Sequence, residues 1–155
     1  MLATILAVLG TLLGVALSGV FALRTADRAE AVAARQQLRR DQITALTELA
    51  AAGSDHRMSM WMRGEAIVAG APEAQVHELR LASHVTRSAL TRPLATVQIL
   101  IPDPAVRAAA TELVHSSYRM RDGSTSTEDL IAAREIARTA HDQFVDRAAA
   151  YLATA

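Results

Sequence analysis

Two short polar clusters hold the side chains best equipped for chemistry. The first is Asp55-His56-Arg57, followed by Met60-Trp61, and the second is Ser83-His84-Val85-Thr86-Arg87-Ser88. A carboxylate, two imidazoles, two guanidiniums and three hydroxyls together suit hydrogen bonding to a polar ligand or a partner. The same set also suits a buried polar layer that fixes helix register. Catalysis is the poorest fit. Arg57 and Trp61 stand at i and i+4, the spacing of a cation–π pair on one helix face. Arg57 is expected on the apolar seam, where an unpaired charge is costly to bury. Asp55, His56, Arg57, Trp61, His84, Thr86 and Arg87 are therefore the candidate ligand or partner layer.

Other chemistry finds little support. His77 and His84 are seven residues apart, about 10 Å along a helix, too far to share one metal ion. His115 and His141 are isolated, there is no cysteine, and the chain has no HExxH, Walker loop, GxSxG or dinucleotide-binding glycine pattern. The expectation is no enzyme, no catalytic residue, no metal and no cofactor.

Helices must position these clusters, because no run alternates convincingly at period two. An apolar seam at Ile43, Leu46, Ala50, Gly53, Met60 and Ile67, widened by Leu49, Trp61 and Val68, predicts a helix over 43–69. Gly70-Ala71-Pro72 breaks it, and Val76, Leu79, Leu90, Leu94 and Val97 predict a second over 73–101, kinked or split by Pro93. Asp103 as N-cap and Pro104 at the first position open a third over 104–121, with Val106, Ala110, Leu113, Ser117 and Met120 on one face. The run 122–127 is a loop, and Ser126 with Asp129, or Thr125 with Glu128, caps a fourth over 127–153 bearing Leu130, Ala133, Ala137, Ala140, Phe144 and Tyr151.

Short connections imply antiparallel neighbours, hence an all-α antiparallel bundle of three to four helices over 43–155. With Ala71 as the hairpin tip, Asp55, His56 and Arg57 lie 14 to 16 residues before it, and His84, Thr86 and Arg87 lie 13 to 16 after it. In a straight hairpin the two clusters meet at the same height.

Residues 1–23 carry no charged side chain, and Arg24 begins a run of five arginines with Arg28, Arg35, Arg39 and Arg40. A helix of that length rises roughly 35 Å, enough for a hydrocarbon core of about 30 Å. A transmembrane helix is expected, since the competing signal peptide lacks its basic n-region. The arginines place the body in the cytoplasm and the amino terminus outside a single-pass plasma-membrane protein. Arg24 and Arg28 are expected to touch lipid headgroups. Gly10, Gly14, Ser18 and Ala22 form a small-residue stripe suited to a homo-oligomer or a membrane-protein partner helix, though such residues are frequent in transmembrane helices anyway. Residues 24–42 read as a solvated helical stalk of roughly 28 Å.

Sixteen arginines, no lysine and sixteen acidic residues give zero net charge, and aromatic residues are 3%. A basic face and stacking platforms are both missing, so direct nucleic-acid binding is not expected.

The arrangement as a whole resembles a known family. It runs from Gly10-Thr11-Leu12-Leu13-Gly14 through Asp55-His56-Arg57, Met60-Trp61, Ser83-His84, Thr86-Arg87-Ser88-Ala89 and Pro93-Leu94 before Val97, Ile99, Leu100 and Pro102. Tyr118, Arg119-Met120-Arg121-Asp122 and Phe144-Val145 continue it. The chain resembles the actinomycete KilB family of small membrane proteins, and that resemblance covers essentially its whole length. It implies a membrane-associated accessory role in conjugative plasmid transfer or spread, without a defined chemistry. The chain departs from the family pattern at Met58-Ser59 and Met62-Arg63-Gly64, which thins the basic character beside Asp55.

The expected function is a non-enzymatic membrane scaffold. A membrane-tethered ligand-sensing bundle is the alternative, and a lethal or lysis protein, suggested by the Kil name and the glycine stripe, is disfavoured because one short anchor on a large folded body makes a poor pore.

Overall fold

A computed structural model describes the backbone of residues 2–120 and 126–154, and the side chains within them from Arg28 onward. Five helices follow one another: α1 Leu2–Val68, α2 Glu73–Ala89, α3 Thr91–Leu100, α4 Pro104–Arg119 and α5 Thr127–Thr154. The described residues contain no strand. The chain divides into two units, residues 1–40 and 41–155.

In the first unit the described side chains, Arg28 to Arg40, are all exposed, including Val32 and Leu38. The uncharged segment 1–23, its stripe of Gly10, Gly14, Ser18 and Ala22, and Arg24 lie outside the residues whose side chains are described. Among the described residues no helix is long and apolar enough to cross a membrane.

The second unit is the bundle, and its helix ends follow from local chemistry. Gly70 adopts φ +66° after the last turn of α1. It donates its N–H to Ile67 O at 3.1 Å while Ala71 donates to Ala66 O at 2.9 Å, which satisfies two terminal carbonyls. Pro72 then prevents continuation. Asp103 Oδ1 accepts from the N–H groups of Ala105 and Val106 at 2.8 and 3.0 Å, with Pro104 in the first helical position, so α4 begins where its cap dictates. Ser126 Oγ accepts from Asp129 N at 3.1 Å at the start of α5.

Of the two outcomes expected of Pro93, a kink or a split, the segment 73–101 takes the second and forms two helices joined at Leu90. Leu90 donates to Arg87 O at 3.3 Å, an i to i−3 bond that tightens the chain. The break puts Pro93 at the third position of α3, where a missing N–H leaves nothing unsatisfied within the helix. It also turns Leu90 fully inward.

The main core gathers Ala45, Leu46 and Leu49 of α1, Leu90, Val97 of α3, Ile101, Val106, Ala110, Leu113 and Val114 of α4, and Phe144 and Ala148 of α5. A smaller cluster of Met60, Met120 and Ala137 packs against Trp61 and Ala133. The α4 and α5 faces are those the sequence indicates. On α1 the buried line runs through Gln42, Leu46, Leu49, Gly53, His56, Met60 and Gly64, and the expected seam residues Ile43 and Ile67 are exposed. Two glycines explain the close packing of this line: a Cβ on Gly53 would lie 2.6 Å from Leu113 Cδ2, and one on Gly64 would lie 2.5 Å from Leu130 Cδ1. Only Ser83 of α2 is buried, so α2 is the least embedded of the bundle helices that follow α1.

Candidate functional site

His56 sits on the buried line of α1 with 2% of its surface exposed. Its Nδ1 lies 2.9 Å from Thr86 Oγ1 on α2, and Thr86 Oγ1 is also 3.2 Å from Ser83 O. Both residues are fifteen positions from Ala71, which is the register expected of a straight hairpin. The His56 ring meets Tyr118 of α4 edge-on, with centroids 5.5 Å apart and planes at 83°. Above that same tyrosine ring lies the Arg87 guanidinium, 4.4 Å from its centroid. Side chains of α1, α2 and α4 thus form one stack.

Burial disfavours the charged imidazolium, and the positive charge of Arg87 adds to the effect, so the His56 pKa is pushed down to about 4. The ring is neutral at pH 7. A cavity of about 20 Å³ adjoins it, lined among others by Arg63, Ser83, His84, Arg87 and Tyr118. That is room for about one water molecule and far below the size of a metabolite site.

The seven candidate residues do not form one layer. His56, Thr86 and Arg87 come together, and His84 is exposed at the edge of their cavity. Asp55 is exposed. Arg57 and Trp61 belong to a different face of α1, toward α5. Arg57 is half-buried and not on the innermost line; its Nη2 donates to Ser54 Oγ at 3.0 Å. Burial lowers its pKa, partly offset by the nearby Asp142, so it remains charged. The expected stacking of Arg57 on Trp61 is replaced by Arg134 of α5, whose guanidinium lies 4.5 Å from the Trp61 ring centroid. Spacing from Gly53 to Met60 permits either residue 56 or 57 to face inward, and the cost of burying a permanent charge decides for the neutral histidine.

Tyr118 is the main residue missing from the expected layer. Its signal is its place beside Ser117 on the inward face of α4, one position from a residue already expected inside. Among the described residues no three His, Asp or Glu side chains converge on a metal position. His141, isolated in the sequence, is half-buried with Nε2 3.2 Å from Ala50 O.

A family model described as KilB plasmid transfer protein matches residues 43–152, a range that includes the whole His56–Thr86–Arg87–Tyr118 stack. Protein KilB of Streptomyces lividans is 39% identical over 150 residues, which cover 96% of this chain and 97% of that protein. No solved structure matches. With most of its bundle matched and a relative of this identity aligned nearly end to end, the chain belongs to the KilB plasmid transfer protein family.

Proposed function

We propose that the chain is a membrane-anchored, non-enzymatic helical scaffold acting in plasmid transfer or spread. Residues 1–23 cross the plasma membrane once, the amino terminus lies outside, and the bundle stands in the cytoplasm. The Gly10, Gly14, Ser18 and Ala22 stripe meets a second copy or a partner helix, and Arg24 and Arg28 contact lipid headgroups.

The carrying observation is that the family-matched range, 43–152, falls within the compact helical unit 41–155. The part of this chain that the family model matches is therefore its helical bundle. Similarity to the Streptomyces lividans protein extends over 96% of the chain, so the uncharged segment is not an addition peculiar to this sequence. The ligand-sensing alternative is disfavoured because the cavity at the polar stack holds about 20 Å³.

Cross-linking in membranes followed by detergent solubilisation tests the scaffold, with expected recovery of an oligomer or a defined membrane partner. Recovery of monomer alone, under conditions that preserve transfer, overturns it. A reporter fused after Ala155 is expected to behave as cytoplasmic, and activity typical of the outer side reverses the orientation.

A further inference from the structure

An open groove of about 660 Å³ runs between α1 and α2 beside the Gly70 turn, lined by Met62, Glu65 and Ala66 of α1 and by Gln75 and Leu79 of α2. On α1 it continues a stripe at helical spacing, Asp55, Met58, Met62, Glu65 and Ala69, every member exposed. On α2 Gln75, Glu78 and Ala82 follow the same spacing and are exposed as well. Met58 and Met62 present 51% and 49% of their surface to solvent. Methionine is flexible and polarisable, and a surface that shows it to water is suited to receiving the apolar side chains of a partner.

The charge of this side is of one sign. Asp55, Glu65 and Glu78 form no ion pair among the described residues. Glu65 and Glu78 stand six and seven positions from Ala71, so the register that pairs His56 with Thr86 sets these two carboxylates at about the same height on the two helices. The four arginines of 43–89 turn the other way. Arg57 feels the charges of Asp142, Arg134 and Arg138 of α5, Arg63 and Arg87 line the cavity that Tyr118 of α4 closes, and Arg80 precedes Arg87 by seven residues on the same stripe.

We propose that this groove receives a basic amphipathic helix of a partner protein, its apolar side chains against Met58, Met62 and Leu79 and its arginines or lysines toward Asp55, Glu65 and Glu78. Helix-in-groove recognition uses apolar anchors at i, i+3 or i+4 and i+7, and the stripe from Asp55 to Ala69, about 21 Å long, accepts that spacing. Charge selects the occupant. A second copy docked by a two-fold axis through this face would set Glu65 and Glu78 against their own counterparts, and an anionic lipid surface would meet the same carboxylates. A basic helix complements both the apolar lining and the acidic edges. The inference rests on the scaffold reading, for which it names the chemistry of one partner of the bundle.

The probe is a synthetic amphipathic helix of about 18 residues, roughly 27 Å long, with leucine along one face and arginine on the other. A scrambled peptide of the same composition, and an analogue with glutamate in place of arginine, are its controls. The full-length protein, in phosphatidylcholine nanodiscs and labelled at its methionine methyl groups, reports binding by NMR. Met58 and Met62 lie on the stripe, while Met60 and Met120 are buried in the bundle and serve as internal references. Saturable movement of the Met58 and Met62 signals is expected with the basic peptide only. Half-saturation is expected to be about fivefold weaker in Glu65→Gln/Glu78→Gln and about tenfold weaker in Met62→Gln followed at Met58. Glu112→Gln, on α4, is expected to change nothing. Peptide taken up by lipid lowers the free concentration equally for every variant, so the ratios stand.

No saturable movement, equal binding of the scrambled peptide, or equal affinity of the wild type and a folded Glu65→Gln/Glu78→Gln variant overturns the proposal. Movement of the same two signals on raising the protein-to-lipid ratio without peptide means that a second copy takes the groove, and overturns it too. Recovery of the cross-linked oligomer or membrane partner beside a failed titration removes the groove alone. Its loss beside a saturable titration removes the scaffold and leaves the groove.

Discussion

His56 of α1 and Thr86 of α2 meet at 2.9 Å across a helical hairpin, each fifteen residues from its tip. The contact matters because α2 buries only Ser83 completely and leaves Val76, Leu79 and Thr86 half-buried. With so little apolar surface to lock it, α2 takes its register from polar geometry: the Thr86 hydroxyl on His56 and the Arg87 guanidinium on Tyr118. A one-residue slip along α2 would break both.

The buried histidine predicts a pH dependence. Its folded-state pKa of about 4 lies below the ordinary 6.5, so between those values the unfolded chain binds a proton that the folded protein refuses. Stability from this group is full above pH 6.5, declines as the pH falls toward 4, and then levels off. At about 1.4 kcal/mol per unit, the whole term is on the order of 3 kcal/mol. Thermal unfolding of the wild type followed by circular dichroism is expected to fall in temperature over this range. His56→Phe, which keeps a ring against Tyr118, is expected to be flatter, and parallel profiles for the two proteins would remove the explanation.

Two glycines near the end of α1 are expected to respond to alanine for different reasons. At Gly64 an added Cβ meets Leu130 Cδ1 at 2.5 Å, Cδ2 at 3.0 Å and Cγ at 3.3 Å, so a rotamer change of this 1%-exposed leucine does not clear the space. Alanine gains about 1 kcal/mol of helix propensity but incurs about 1–3 kcal/mol of overpacking, a net loss of roughly 1 kcal/mol. Leu130→Val in the Gly64→Ala background should recover part of it. At Gly70 there is open space around the Cβ position, and the loss comes from φ +66° alone, about 1–2 kcal/mol. Leu130→Val should do nothing for Gly70→Ala, and equal rescue of both variants would contradict the distinction.

Much of the fold is legible in the sequence wherever a single local rule acts. Asp103-Pro104 marks the start of α4 and Pro93 marks a break, because capping and the missing proline N–H operate within a few residues. The hairpin height of His56 and Thr86 follows from counting alone. The inward line of α1 is harder: Gly53 stands on the expected seam, but His56 and Gly64 add nothing to an apolar period, and all three are buried. They are inside because of what comes toward them: Leu113, Leu130 and the Thr86–Tyr118 pair belong to other helices. For the same reason the Trp61 partner is not its helical neighbour Arg57 but Arg134, 73 residues away.

The Asp103 cap offers a direct check on one such local rule. Its Oδ1 serves two backbone donors of α4 at 2.8 and 3.0 Å. Asp103→Ala is expected to cost about 1 kcal/mol and Asp103→Asn much less, measured by the midpoint of thermal unfolding. An alanine variant as stable as the asparagine one would mean that Pro104 alone sets the helix start.

Gln42 performs an analogous task between helices. It is 7% exposed, and its Nε2 donates to Leu100 O at 3.0 Å and to Tyr151 Oη at 3.1 Å. Leu100 is the last residue of α3, so its carbonyl is one of those a helix leaves without an internal partner. The amide of α1 therefore caps α3 and holds α5 with the same nitrogen. Gln42→Leu removes the donor and leaves the carbonyl unsatisfied, at about 1–3 kcal/mol. Gln42→Glu is expected to be worse near pH 7, because a carboxylate cannot donate and faces both a carbonyl oxygen and the negative end of the α3 dipole. Below the carboxylate pKa the protonated side chain of the glutamate variant regains one donor, so the gap between the two variants should narrow or reverse on acidification. His56 titrates in both and cancels from the comparison. A glutamate variant no less stable than the leucine variant at pH 7 would show that this nitrogen is not what joins the three helices.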